Sequence, residues 1–432
     1  MTTIGIRRED KSPFEKRCPL TPDHIRRAIS EYGVDFVVQP APLRIFKDEE
    51  FTRAGATVSE DLSKCDVVLG VKEIPKEKFE EGKAYVFFSH TAKAQSYNMD
   101  MLSQLLERNC SLVDYERISD VDGRRLVFFG YYAGLAGMLE SLWSLGQRLD
   151  YEGKSTPFSK MKRAWEYEDL ADARKAVAQI ATDIRRLGLP ESVTPLVFGI
   201  TGYGNVAKGA MSVLDELPVI EISPEDLACG NFPNNRRRNV YKVVFKEEDL
   251  VERKDGGEFN LQEYYDTPEL YNGVFEDRLD QLSVLVNCIY WEEKYPRLMS
   301  LAKTKAMYSG QSPKLKVVGD ISCDIDGSVQ ATTKATTVQN PVFVYDVDKE
   351  ESIDGVEGNG PVIMAVDILP AELPKEASRH FGDSLYPFLL QLGTLDASLP
   401  FSRAEIMPEI RKALIVWGGE LTPEYSYLED HI

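Results

Sequence analysis

The chain has 432 residues, 43% hydrophobic and 28% charged, enough for two or three domains around large cores. A formal net charge of −19 disfavours nucleic acid or an anionic membrane as the main partner. Six scattered cysteines without a Cys-x-x-Cys pair, and only four histidines, give no zinc-site spacing and read as reduced thiols.

The N-terminus enters directly as a strand over 3–7, with no cationic segment and apolar stretch of a signal peptide, so the expected location is cytoplasmic. Thr21-Pro22 pairs an N-cap with proline at the first helical position and opens a helix to about Tyr32. Strands are predicted at 34–38, 66–71, 84–88 and 111–113, with helices near 48–55 and 97–108. Apolar strands alternating with helices predict a parallel, doubly wound sheet. Met138, Leu142, Leu145 and Leu149 then recur at helical spacing, and a second helix carries Ala173, Val177, Ile180, Ile184 and Leu187 on one face.

After Gly188 comes an apolar run, 195–198, then Thr201-Gly202-Tyr203-Gly204-Asn205-Val206-Ala207 and a helical stretch, 210–217. Strand, glycine turn and helix meet the context test for a dinucleotide fingerprint. Glycines admit a pyrophosphate close to the backbone, and a helix N-terminus faces it. Further strands are predicted at 219–222, 284–288, 316–319 and 362–366. Residues 232–272, with Arg236-Arg237-Arg238, read as a charged, loop-rich insertion, and 370–432 as helical with turns. The predicted fold is α/β: two Rossmann-like, doubly wound domains with a cleft between them.

Polar groups gather where strands of the first domain end. Glu15-Lys16-Arg17 follows the first strand, Lys72-Glu73 another, and His90 a third. A lysine and a histidine at neighbouring strand ends suit proton transfer, because both can titrate near neutrality. Taken alone, Lys72-Glu73 reads equally as an exposed charge pair and His90 as a helix cap. Arg124 and Arg125 suit a carboxylate or phosphate, or an exposed ion pair.

These segments, in order, resemble the lysine-forming saccharopine dehydrogenases. The nearest likeness is to the lysine–ketoglutarate reductase half of bifunctional aminoadipic semialdehyde synthase. The wider group contains alanine dehydrogenase and transhydrogenase. The matching stretches include Lys72-Glu73-Ile74-Pro75, Ser89-His90-Thr91-Ala92-Lys93-Ala94-Gln95, Gly130-Tyr131-Tyr132-Ala133-Gly134, Asn287-Cys288-Ile289-Tyr290-Trp291-Glu292, Asp320-Ile321-Ser322-Cys323-Asp324 and Asp367-Ile368-Leu369-Pro370-Ala371-Glu372-Leu373-Pro374.

The resemblance implies a substrate domain of residues 1–135 plus 371–432 and a dinucleotide-binding domain of 136–370. It implies Lys72 and His90 as the proton-transfer pair, with Arg17 as substrate-carboxylate ligand. Glu73 and Glu116 hold the substrate amine, and Arg124 and Arg125 serve the further carboxylates of saccharopine. Gly202, Gly204, Asn205, Val206, Glu221, Ser223, Ile289, Tyr290, Asp320, Ile368 and Leu369 would line the cofactor. The implied reaction joins L-lysine and 2-oxoglutarate through an imine, reduced to saccharopine by NADPH, with NADH the other choice. No metal is implied, nor any membrane or nucleic-acid partner. Glu221 stands near the place where an acidic residue selects NAD, with Ser223 nearer the strand end. Ala207 replaces the third glycine, which the fingerprint tolerates. The bifunctional relatives continue into a glutamate-forming dehydrogenase; the expectation is the first step only, with a separate enzyme downstream. An alanine dehydrogenase or opine-forming relative, and a catalytically silent dinucleotide-binding regulator, are the alternatives.

Overall fold

The computed structural model describes residues 2–310 and 313–432. The chain divides into two compact units, residues 1–129 with 374–432, and residues 130–373.

The first unit opens with β1 (Thr3–Ile6), β2 (Asp35–Val38), β3 (Thr57–Val58), β4 (Val67–Leu69), β5 (Ala84–Phe87) and β6 (Ser111–Asp114). β1, β4, β5 and β6 are short apolar runs buried almost throughout, as strands covered on both faces must be. The helix Pro22–Tyr32 starts at Thr21, as predicted, and ends on Gly33 in the left-handed region at φ 65°.

The second unit carries β7 (Val197–Thr201), β8 (Val219–Glu221), β9 (Val240–Phe245), a small ribbon of β10 (Val251–Arg253) and β11 (Tyr271–Gly273), then β12 (Val284–Asn287), β13 (Val317–Asp320), β14 (Val342–Asp346), β15 (Glu351–Asp354) and β16 (Val362–Met364). Among the described residues its sheet has the order β15-β14-β16-β13-β12-β7-β9-β8. β16, β13, β12, β7, β9 and β8 run parallel, and β14 pairs antiparallel with both β16 and β15. The sequence places β9 inside the loop-rich insertion expected at 232–272. It is instead a buried inner strand hydrogen-bonded along all of β7. Its apolar run, Val-Tyr-Lys-Val-Val-Phe, is masked in sequence by the charges on either side.

The helix Gly130–Tyr151 lies against this sheet with its small residues turned inward. A Cβ on Gly134 would stand 1.9 Å from the Val206 carbonyl oxygen, and one on Gly209 would stand 2.0 Å from that of Tyr131. The helices Gly130–Tyr151 and Asn205–Leu214 therefore meet backbone to backbone, a separation that no side chain larger than hydrogen permits.

The chain then returns to the first unit with β17 (Leu414–Trp417) and β18 (Glu420–Leu421). Strands in this segment depart from the helical expectation for 370–432. β17 pairs antiparallel with β6 and with β18 and completes the order β18-β17-β6-β5-β4-β1-β2-β3, in which β6 through β3 pair in parallel. The helix Pro374–Leu385 brings Phe381 against Phe129, ring centroids 4.4 Å apart, and against Phe88 and Tyr115. Each buried ring contributes about 1.5–3 kcal/mol of apolar burial.

Candidate active site

In the first sheet the strand order reverses between β1 and β4. Such a switch point opens a crevice at the carboxyl ends of the strands. The segment after β1 holds Glu9, Glu15 and Arg17, and the turn after β4 holds Lys72 and Glu73. Glu9 ties the two together: its carboxylate accepts the backbone N–H of Val71 at 2.7 Å and of Lys72 at 2.9 Å. Burial, then the Glu15 charge, push Glu9 up to about 7 against the pull of these bonds. Sequence reasoning missed this residue, because its role is spent on backbone groups 62 and 63 positions away.

Arg17 is buried and paired with Glu15 through Nε at 2.8 Å and Nη2 at 2.5 Å. Its guanidinium lies 4.2 Å from the Phe129 ring centroid. Two of its N–H donors are thus committed to Glu15, and the rest of the fork is open to a carboxylate. The Lys72 ammonium has no hydrogen-bond partner among the described residues. Burial lowers its pKa, the Arg17 charge adds to this, and Glu15 and Glu73 oppose it.

His90 follows β5 in the left-handed region, φ 53° and ψ 23°, a strained conformation for a residue with a side chain. Buried Asp114, at the end of β6, holds it there. One Asp114 oxygen accepts the backbone N–H of Ser89 and of His90, at 3.2 and 3.1 Å, and the Ser89 hydroxyl at 2.5 Å. The His90 ring places Nδ1 2.8 Å from Glu73 Oε1, while Lys11 donates to Glu73 Oε2 at 2.7 Å. Burial would raise the Glu73 carboxyl, but the bonds from His90 and Lys11 outweigh it and hold it at about 2. An ionised carboxylate only accepts, so Nδ1 carries the hydrogen, and in the neutral imidazole Nε2 is the acceptor.

The sign of the Glu73 shift yields an expected result. The group stands at about 2 against an ordinary 4.5, so its stabilising effect is complete above about pH 4.5 and is lost as pH falls toward 2. Denaturant unfolding at stepped pH is expected to show a steeper loss in this window for the wild type than for Glu73→Gln. Equal slopes would remove the ion-pair reading.

Glu116 pairs with Arg125. Arg124 stands apart: its side chain is 78% exposed and its ion pair is with Asp122 of the same turn, at 3.8 Å. This corrects the expectation that Arg124 lines the site. The turn projects its side chain into solvent.

In the second unit the order reverses at β7. Gly202 there has φ 87°, and a Cβ on it would meet Ile289 Cγ2 at 3.1 Å, which places the segment after β12 against the glycine turn. Gly204 is different. Its φ of −74° suits any residue, and a Cβ would find nothing within 4 Å. Neither strain nor packing requires glycine at that point; the missing side chain leaves room beside Asn205 and Val206, the first turn of the helix Asn205–Leu214. Open space next to free N–H groups at a helix N-terminus fits a pyrophosphate.

Several other residues expected to line the cofactor are engaged within the fold. Asp320 is fully buried and accepts from Asn287, Ser322 and Thr332 at 2.6–2.9 Å, so it braces β12 against β13 and offers no free oxygen to a ligand. Leu369 is buried in the core, whereas Tyr290 is exposed and Ile368 half-buried. Ser223 caps the helix Pro224–Ala228, accepting the N–H of Asp226 at 3.1 Å. Glu221 is paired with Lys242, 3.0 Å away across the sheet. The arginine triplet precedes β9 and so lies at the amino edge of the parallel strands, opposite the glycine turn.

The fold is that of the two-unit alanine dehydrogenase and transhydrogenase proteins. Residues 5–136 match the family model "Alanine dehydrogenase/PNT, N-terminal domain". A solved L-alanine dehydrogenase aligns over 100% of both chains with a TM-score of 0.63 at 17% identity, and the transhydrogenase of Sinorhizobium meliloti over 97% of this chain with a TM-score of 0.56 at 14%. The chain is 37% identical over 99% of its length to the mouse protein "Alpha-aminoadipic semialdehyde synthase, mitochondrial", and spans about half, 47%, of that relative. It is 30% identical to the Neurospora crassa "Saccharopine dehydrogenase [NAD(+), L-lysine-forming]", covering 94% of this chain and 95% of that one. The chain belongs to the family of lysine-forming saccharopine dehydrogenases. Among the described residues no helix is long and apolar enough to cross a membrane.

Proposed function

We propose that the chain is an oxidoreductase that condenses L-lysine with 2-oxoglutarate and reduces the resulting imine to saccharopine, reversibly. The observation that carries this reading is the His90–Glu73 pair. It orients the imidazole through Nδ1, and Glu73 also acts on the Lys72 amine, whose pKa burial and the Arg17 charge lower. Kinship with proteins named for saccharopine dehydrogenation and semialdehyde synthesis supports it.

The residues divide the work by their chemistry. Arg17 pairs a substrate carboxylate with the donors Glu15 leaves free. Lys72 and His90 Nε2 take and return the protons that amine attack and water loss require. Glu73 fixes the His90 tautomer, and Glu116 accepts from the substrate amine. When bound at the glycine turn, the nicotinamide dinucleotide supplies the hydride.

The test mixes protein, reduced dinucleotide, lysine and 2-oxoglutarate and follows absorbance of the reduced cofactor. Oxidation that needs both substrates is the expected result. Oxidation only with pyruvate and ammonia would make the chain an alanine dehydrogenase, and dinucleotide binding without turnover on any amine–keto acid pair would make it a regulator.

A further inference from the structure

Rossmann units read the adenosine ribose with an acidic residue at the carboxyl end of the strand that neighbours the first one. In sequence that strand is normally the next to follow, which would make Glu221 or Ser223 the reader. The strand order β9 between β7 and β8 changes this. β8, the next in sequence, is the outermost strand, and Glu221 pairs in register with Lys242, three residues short of the end of β9. β9 is the neighbour. Thr201 pairs with Phe245, and the N–H of Gly202 donates to the Phe245 carbonyl at 2.9 Å, so the end of β9 abuts the glycine turn itself.

The residues that leave this end are Lys246, Glu247, Glu248 and Asp249. Two of the carboxylates face Lys246 of the same loop: Asp249 accepts its backbone N–H at 2.8 Å, and exposed Glu248 lies 3.8 Å from its ammonium. Glu247 is held otherwise. Tyr265 donates to it at 2.9 Å. The Glu247 charge, with a hydrogen bond, raises the phenol of Tyr203, the residue between the two glycines of the turn. A carboxylate is thus fixed beside the place where the turn leaves room for a pyrophosphate.

Resting on the dinucleotide reading above, we propose that Glu247 is the ribose-reading residue and that it makes the site select NADH over NADPH. An ionised carboxylate accepts from two ribose hydroxyls. A 2′-phosphate instead brings a charge of about −1.5 to −2 against it. Glu248, Asp249 and Glu225, whose charge reaches Asp249, deepen the repulsion, with Lys246 the cation of the same turn. The arginine triplet cannot relieve it from the opposite edge of the sheet.

The experiment titrates the full chain with NADH and with NADPH separately, without substrates, by calorimetry or quenching of protein fluorescence. NADH is expected to bind at least about tenfold more tightly, 1.4 kcal/mol. Glu247→Ser and the shape-preserving Glu247→Gln are expected to shrink that ratio by strengthening NADPH, at unchanged melting temperature, while Glu221→Gln leaves it where it was. Equal or tighter binding of NADPH by the wild type overturns the proposal, as does a ratio that moves with Glu221→Gln and not with Glu247→Ser. Binding of neither dinucleotide overturns the functional reading as well, which separates the two failures.

Discussion

Lys72→Met is expected to lower turnover about 10²- to 10⁴-fold while leaving dinucleotide affinity within about threefold of wild type. The lysine belongs to one unit and the glycine turn to the other, so loss of the amine removes the proposed proton carrier and leaves the proposed dinucleotide site untouched. His90→Gln should fall in the same range. Glutamine still donates to Glu73 but has no nitrogen lone pair to offer the substrate. Lys72→Arg adds a sharper discrimination: it keeps the positive charge but cannot release a proton near neutral pH, so it should fail to rescue. Steady-state rates with lysine and 2-oxoglutarate, beside dinucleotide titrations, check all three. Near wild-type rates in Lys72→Met and His90→Gln would refute the assignment.

Gly134→Ala should cost about 3 kcal/mol or more, at the upper end of overpacking effects. The added methyl meets a backbone carbonyl oxygen at 1.9 Å, and a main chain inside two packed helices cannot swing aside as a side-chain tip would. For a unit of this size that loss lowers the melting temperature by about 6–12 °C. Gly204→Ala is the contrast. Its methyl enters open space at an ordinary φ, so melting should stay at the wild-type value while dinucleotide binding weakens. Calorimetric melting and a dinucleotide titration on both variants test the pair. Equal stability of Gly134→Ala would show that the helices can separate.

Much of this was legible from the residues. The alternation of apolar runs and helices marks both sheets, and Gly202-Tyr203-Gly204 marks the turn, because these are local patterns. Lys72 and His90 stand just behind apolar runs and so are readable as strand-end residues, whereas Arg17 lies in the longer segment that follows β1. What the chain does not spell out is adjacency. Nothing in 219–249 states that the later strand slips between the earlier one and β7, so the sequence points to Glu221 and Ser223 and gives no sign of Glu247. Glu9 and Asp114 serve backbone groups, and a side chain spent on a distant N–H leaves no spacing to find. Arg124 failed for the opposite reason: adjacent arginines look alike in sequence, and the turn sends only Arg125 to Glu116.

The pairing of β17 with β6 has a consequence for how the molecule is made. Residues 130–373 are contiguous, so that unit can finish folding as it leaves the ribosome. The other unit must wait with that edge of β6 uncovered until residues 414–417 have been made. A ribosome that stalls in that interval would release a chain with one finished half and a bare sheet margin, the kind of surface chaperones bind and proteases clear.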